Sequence, residues 1–436
     1  MNRIEPRVLK GFRDILPEQE LVRRRLIGDL ESGFRQFGYV PIDTPTLEYT
    51  EVLLGKGGGE TDKQIFRFND HGNRDVALRF DLTVPFARYM AAHQHELYLP
   101  FRRYHIGKAY RGENTQRGRY REFVQCDFDI VGTDTASADA DILLTVAHAF
   151  DLLGVSGITV HVAHRGLFNR FLTAIGAADQ SEDVLRTVDK LRKVGIDATH
   201  SSLVDLLDTK RADSILAYVT AGGDFDSTLD TLEELAGGPG EDSQRMRSIY
   251  AAVRESGAAG SLQYDPSITR GLDYYTGMVF ETFLNDLPSI GSVCSGGRYN
   301  DLAELYTKQN LPGVGGSIGL DRLLAGLDEL GAVHTAEPAA DVLVFCMDEE
   351  LTGYYHRIAR ELRSAGLSCE VFPEGKKISA QFGHAEKRGI PVAIICGANE
   401  KESGTVNGKD LVHRESFDAD SIQAAIDRIH RIIGTS

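Results

Sequence analysis

Residues 119–131 read RYREFVQCDFDIV, and their alternation sets the fold. Along a strand, successive side chains point to opposite faces. The odd positions are Arg119, Arg121, Phe123, Gln125, Asp127 and Asp129; the even ones are Tyr120, Glu122, Val124, Cys126, Phe128 and Ile130. The even face is mainly apolar and suits a core. The odd face is a row of charged and hydrogen-bonding groups. Such a row is most often the solvated face of an antiparallel sheet. The other reading is a binding face, on which Gln125 and Asp129 stand ~13 Å apart, a span that suits a bound small molecule.

Working outward, residues 104–111 (YHIGKAYR) read as a second strand, joined to the first through GENTQRG in a long-looped antiparallel hairpin. Residues 76–83 (VALRFDLT) read as a third, with a polar row of Arg79, Asp81 and Thr83. A carboxylate beside a hydroxyl can receive an ammonium group; a structural Asp–Arg pair is the alternative. Upstream, Pro17 opens a helix whose apolar face is Val22, Leu26, Leu30, Phe34 and Phe37, and Gly38 stops it. Pro41 and Pro45 keep the next segment, YVPIDTPTLEY, extended.

Downstream the character changes. Leu185, Val188 and Leu191, then Leu229, Leu232 and Leu235, recur at helical spacing, which predicts a helical insertion over residues 164–256. Strand-like sequence returns at 274–284. The glycine-rich PGVGGSIG then feeds a helix with Leu320, Leu323, Leu324 and Leu327 on one face. Residues 331–340 read as a linker. Beyond it, strand and helix alternate: DVLVFCM, helix 350–365, LSCEVF, helix 379–388, PVAIICG, and a last helix near 421–433. That predicts a separate α/β domain over 341–436.

At 436 residues the chain has room for two to four domains, and 42% hydrophobic with 26% charged residues is ordinary for globular protein. Its five cysteines (Cys126, Cys294, Cys346, Cys369, Cys396) include no CxxC pair and are odd in number. That argues against a zinc site or a disulfide framework and for a reducing cytoplasm. The first twenty residues hold no apolar signal core, and no apolar run approaches the ~18 residues of a membrane span. A net charge of −16 argues against sequence-independent coating of nucleic acid, and leaves open an RNA held at local basic patches.

Other motifs carry chemistry. In RGLDYYTGMVFE (270–281), Arg270 precedes Tyr274 and Tyr275. Arginine offers phosphate a planar fork of donors, and tyrosines offer apolar walls with polar tips; core aromatics beside a surface arginine are the alternative. SGGRYND (295–301) and GVGGSIGLDR (313–322) supply small residues where backbone can approach a flat ligand. The second is no dinucleotide fingerprint, because Ile318 stands where the third glycine belongs. GKGGGET (55–61) is a flexible loop rather than a P-loop, since Lys56 precedes the glycines. HQHE (93–96) reads as surface histidines, and no metal ligands are assigned.

Together these segments resemble class II aminoacyl-tRNA synthetases, and within them the histidyl family, nearly end to end. GFRDILP with the following helix and strand resembles motif 1, a dimer-forming element. YRGENTQRGRYREFVQCDFDI resembles motif 2. GVGGSIGLDRLL resembles motif 3, whose ATP-contacting arginine falls on Arg322. RGLDYYTGMVFE and the GGRY of 296–299 resemble hallmarks of the histidyl branch, and KKISAQFGHAEKRGIPVAIICG its anticodon-binding domain.

The resemblance implies an α+β fold: a six- or seven-stranded antiparallel class II sheet with flanking helices, split by the insertion. The catalytic domain would span 1–163 and 257–330. It also implies ATP-dependent ligation of L-histidine to tRNA(His) through histidyl-adenylate, with ATP and Mg²⁺, in a cytoplasmic homodimer without membrane association. Asp81, Thr83 and Gln125 would hold the amino group; Asp129 and Tyr275, with Tyr274 beside them, would frame the imidazole. Arg111 and Arg270 would be catalytic, contacting the α-phosphate. Arg119 and Arg322 would hold the distal phosphates and flank the adenine. Some positions depart from the commoner bacterial pattern: aspartate replaces glutamate at Asp81 and Asp129, Asn114 and Thr115 stand where Arg-Pro is frequent, and Asn300 stands where Asp is usual. The rival reading is a synthetase-like regulatory subunit of histidine biosynthesis, which usually lacks catalytic positions and the C-terminal domain.

Overall fold

A computed structural model describes residues 3–55, 61–268, 274–332 and 338–434. The chain divides into two compact units, Met1–His334 and Thr335–Ser436.

Among the described residues of the first unit, eight strands form one sheet: β1 (Val40–Pro41), β2 (Phe101–Tyr110), β3 (Glu122–Val131), β4 (Ile158–His164), β5 (Leu262–Tyr264), β6 (Met278–Leu284), β7 (Cys294–Arg298) and β8 (Gly313–Gly319). Their order is β1-β2-β3-β8-β7-β6-β4-β5. The six central strands are all antiparallel. The expected six- or seven-stranded sheet gains short parallel strands at both edges, β1 beside β2 and β5 beside β4.

The even face of β3 is core: Val124, Cys126, Phe128 and Ile130 are buried. The helix Pro17–Gln36 lies on it through Val22, Leu26, Leu30 and Phe34. The Phe34 ring stacks on Phe128 at 5.1 Å and meets Tyr104 at 5.6 Å. Burying one such side chain contributes roughly 1.5–3 kcal/mol, so this helix fixes which sheet face is covered.

Several local expectations need correcting. β3 starts at Glu122, so Arg119 and Arg121 belong to the preceding loop. There Arg121 donates to the Glu113 carbonyl. The strand expected over 76–83 ends at Leu78. Asp81 accepts from the Val84 amide at 3.0 Å and opens the helix Thr83–His93, with Pro85 in its first turn. An Asp capping side chain and an early proline favour helix start over strand. Arg79 donates to the carbonyls of Thr44 and Lys108, so its part in the polar row is structural. The segment expected as strand over 274–284 is strand only from Met278. PGVGGSIG is itself strand β8, leading into the helix Leu320–Glu329.

Between β4 and β5 the chain is helical, from Arg165–Ala174 to Glu241–Glu255. Leu185, Val188, Leu191, Leu229 and Leu232 are buried there. The second unit is a five-stranded sheet ordered Cys369–Val371, Val342–Val344, Val392–Ile394, Val406–Asp410, Ser416–Ala419. Its first three strands are parallel and its last two antiparallel.

Candidate functional site

The odd face of β3 is not solvated. Asp81, Asp127 and Asp129 are 1%, 1% and 2% exposed, and Gln125 is 9% exposed. Ionised carboxylates are rarely buried without partners. Asp129 has them: Arg103 on the neighbouring strand lies 2.7 Å away, and the Tyr299 hydroxyl donates to it. The Arg103 guanidinium is in turn 4.0 Å over the Phe86 ring. Yet three oxygens on this face have no partner among the described residues: Asp81 Oδ2, Gln125 Oε1 and Asp127 Oδ1.

Burial pushes the Asp81 carboxyl up to about 6 and the Asp127 carboxyl up to about 7; Arg103 pulls Asp127 back, while Asp129 and Asp81 push it further. Asp129 is also raised by burial, against the pull of Arg103. Buried acceptors without donors are costly, so a face that keeps three of them is shaped for a cationic, donor-rich ligand.

Tyrosines and glycines close this face. Tyr274 and Tyr275 meet edge to face at 4.9 Å, and Tyr274 hydrogen-bonds Thr83. Burial raises the Tyr275 hydroxyl, and the charges of Asp129, Asp127 and Asp81 add to that, which puts the ring among the three carboxylates. The glycines of β7 and β8 other than Gly319, which lines the arginine cleft, do not leave backbone bare for a flat ligand, as the sequence suggested. Their side-chain spaces are filled from within the chain. On the polar face a Cβ at Gly297 would meet the Tyr275 ring at 2.9 Å, and one at Gly315 would meet Asp129 Oδ1 at 1.9 Å. On the core face, Gly296 and Gly316 are filled by Phe280 and Phe128.

Beside this face lies a cleft of about 130 Å³ that holds Arg111, Arg119 and Arg322, with Phe123, Glu113 and Gln125 also on its wall. Arg111 is anchored by Nε, which donates to the Phe80 carbonyl at 3.0 Å, and its guanidinium lies 5.1 Å over Phe123. Arg322 donates to the Ser292 carbonyl at 2.6 Å. Burial first, then the like charges of Arg119 and Arg111, hold its guanidinium down to about 10, with Glu113 and Glu281 opposing. Three guanidiniums crowded in one cleft suit a polyanion.

Of the residues singled out in the sequence, Asp81, Thr83, Gln125, Asp129, Tyr274 and Tyr275 gather on the carboxylate face. Arg111, Arg119 and Arg322 gather in the cleft, and Gln125 belongs to both. Arg270 lies outside the described residues. Sequence reading missed Arg103, Asp127, Tyr299 and Phe123. Asp127 was on the correct face without a role, and Arg103 would have joined it had the second strand been started at Phe101.

Residues 11–323 match the family model described as histidyl-tRNA synthetase, and residues 341–431 match an anticodon-binding domain. The chain is 54% identical over 393 residues to a histidine–tRNA ligase of Treponema denticola, which covers 89% of this chain and 88% of the relative. It is 46% identical over 421 residues to a histidine–tRNA ligase of Rhodopirellula baltica, covering 95% of each. The crystal structure of a histidyl-tRNA synthetase from Nostoc sp. PCC 7120 superposes with a TM-score of 0.88 at 30% identity and covers all of both chains.

Proposed function

The chain belongs to the histidyl-tRNA synthetase family, and from that premise we propose that its carboxylate face and its arginine cleft form one active site. The protein is a histidine–tRNA ligase: it activates L-histidine with ATP to histidyl-adenylate and pyrophosphate, then passes the acyl group to tRNA and releases AMP. The observation that carries the site assignment is the set of three unpaired buried oxygens beside three crowded guanidiniums. The regulatory reading gives way to relatives that are ligases over nearly the whole length and to the matched anticodon-binding domain.

In this reading Asp81, Thr83 and Gln125 hold the α-ammonium, while Asp129 and Tyr275, with Tyr274 beside them, frame the imidazole. Arg111 and Arg270 draw charge from the α-phosphate as the histidine carboxylate attacks it in line. Arg119 and Arg322 hold the distal phosphates and flank the adenine. Positioning and charge neutralisation supply most of the rate enhancement, since the cleft's cations are in place before the reaction. Mg²⁺ would enter on the triphosphate and offset its charge. Glu113 and Glu281, whose charges reach Arg322, are the carboxylates on hand for it. We assign no general base.

Residues 1–163 and 257–330 are proposed as the catalytic domain, 164–256 as its insertion, 331–340 as a linker and 341–436 as the anticodon-binding domain, in a cytoplasmic enzyme. ATP–pyrophosphate exchange across the twenty amino acids tests the whole reading. Histidine alone should support it; equal exchange with another amino acid, or none with histidine, overturns it. A chain ended within the linker should keep exchange and lose most tRNA charging.

We also propose a homodimer through the segment ending at Pro45. The helix Pro17–Gln36 does not argue for it, because its apolar face is spent on its own sheet. The support is an apolar row left open nearby, with Val40, Leu47 and Tyr49 each more than 40% exposed. Light scattering at micromolar concentration should give twice the chain mass, and a monomer there would end the idea.

A further inference from the structure

We propose that Asp127 is a further substrate-positioning residue, a second carboxylate that receives the α-ammonium of histidine beside Asp81. The inference rests on the active-site reading above and adds a contact that reading does not include.

The case starts from register. On β3, Asp127 lies between Gln125 and Asp129, facing His105 of β2 on one side and Ser317 of β8 on the other. Its carboxylate takes a hydrogen bond from the Ser317 side chain and a long one, 3.5 Å to Oδ2, from the Thr83 hydroxyl, while Oδ1 has no partner among the described residues. Asp129, two positions on, already has the guanidinium of Arg103 and the Tyr299 hydroxyl. Asp81 accepts from the Val84 amide and keeps Oδ2 unpaired. Thr83 therefore stands between two carboxylates that each have a free oxygen, Asp81 and Asp127.

The charges do not balance without a ligand. The cations whose fields reach this face from its neighbours are Arg103 and Arg111. Arg111 is turned toward the cleft, and Arg103 is engaged with Asp129. His105 supplies no charge, because burial and the adjacent Arg103 and Arg79 hold its imidazole down to about 3. A carboxyl kept buried against its preference, with an oxygen unpaired, is a functional signal rather than a packing one. A primary ammonium has three donors, which matches one oxygen each from Asp81, Asp127 and Gln125, with Thr83 holding the ammonium's place from beside the two carboxylates.

Burial raises the Asp127 carboxyl to about 7, so at pH 6.5 it is mostly protonated. An arriving ammonium favours the ionised form. Histidine binding at pH 6.5 should therefore release a proton from Asp127 that the Asp127→Asn chain cannot release.

The test uses the full chain, with histidine and its deamino analogue 3-(imidazol-4-yl)propionate. Asp127→Asn should raise the histidine KM in pyrophosphate exchange by about 10–100-fold, the size expected for one lost charge-assisted contact, with kcat within a few fold. The inhibition constant of the deamino analogue should stay the same or improve. Calorimetry in buffers of different ionisation heat should show more protons released by histidine on binding the unaltered chain than on binding Asp127→Asn at pH 6.5. A histidine KM unchanged in the variant, a parallel loss for the analogue, or equal proton release by histidine on binding either chain would overturn the proposal. Failure of the unaltered chain to exchange with histidine would instead overturn the reading of the site as a whole.

Discussion

Arg111→Ala should lower kcat for histidine-dependent pyrophosphate exchange by about 10²–10³, the usual cost of one lost electrostatic donor at a reacting centre. The reaction concentrates negative charge on the α-phosphate oxygens, and only a contact that strengthens toward the transition state accelerates it. Arg111 is built for such a contact. Its Nε is committed to the Phe80 carbonyl and its guanidinium rests over Phe123, so the remaining N–H groups are held at the cleft without searching for a rotamer. Arg119 and Arg322 line the same cleft. Arg322 feels both neighbours, as its lowered guanidinium shows, so the three are close enough to act on one triphosphate. Their roles separate in kinetics. Arg119→Ala should chiefly raise the ATP KM, because distal phosphates carry similar charge in the ground and transition states. Arg111→Ala should lower kcat, and Arg111→Lys should recover only part, since a point charge does not reproduce the fork. If Arg111→Ala raised the ATP KM and left kcat alone, the arginine would be a binding residue and its catalytic assignment would fall.

What was legible in the sequence follows from which signals are local. β3 could be read because its period of two runs without a break from Glu122 to Val131. The same letters misled about the odd face: a binding face and a wet face are both polar, and only burial separates them. Asp127 had no role for that reason. Tyr299 was quoted within a motif, but its bond to Asp129 spans 170 residues of sequence, and no local pattern encodes it. The strands Val406–Asp410 and Ser416–Ala419 (VNGKD and SFDA) were missed because they are short and poor in β-formers; they are strands because they extend the pairing begun at Val392–Ile394. The two-residue β1 likewise exists only through its partner, β2. The helix starting at Thr83 was missed through the opposite fault. The strand reading of VALRFDLT was carried through Asp81 to Thr83 although Asp81, and Pro85 just beyond, favour a helix start.

Gly315→Ala should cost the enzyme its grip on histidine while leaving ATP binding nearly intact. Gly315 lies on β8 directly across from Asp129, with Gly297 of β7 on its other side. A methyl group there would fall 1.9 Å from Asp129 Oδ1, 2.4 Å from its Cγ and 2.8 Å from the Phe128 carbonyl. The carbonyl belongs to the paired backbone and cannot retreat. The carboxylate can move only by leaving Arg103 and Tyr299, which strands a guanidinium that is 0% exposed. Separating a buried pair in this way costs ~3–5 kcal/mol, more than the ~1–3 kcal/mol of ordinary overpacking, so the strands should part slightly before the pair breaks completely. Either adjustment displaces the acceptor proposed for the imidazole. The histidine KM should rise by about 100-fold or more, equivalent to ~2.7 kcal/mol, with a melting temperature several degrees lower. Gly319→Ala is the matched control on the same strand for the histidine pocket: its nearest neighbours would be 3.9 and 4.0 Å away, an ordinary contact, so the histidine KM and the melting temperature should hold. A Gly315→Ala enzyme with a normal histidine KM would show that Asp129 does not read the substrate from this position, whatever happened to its stability.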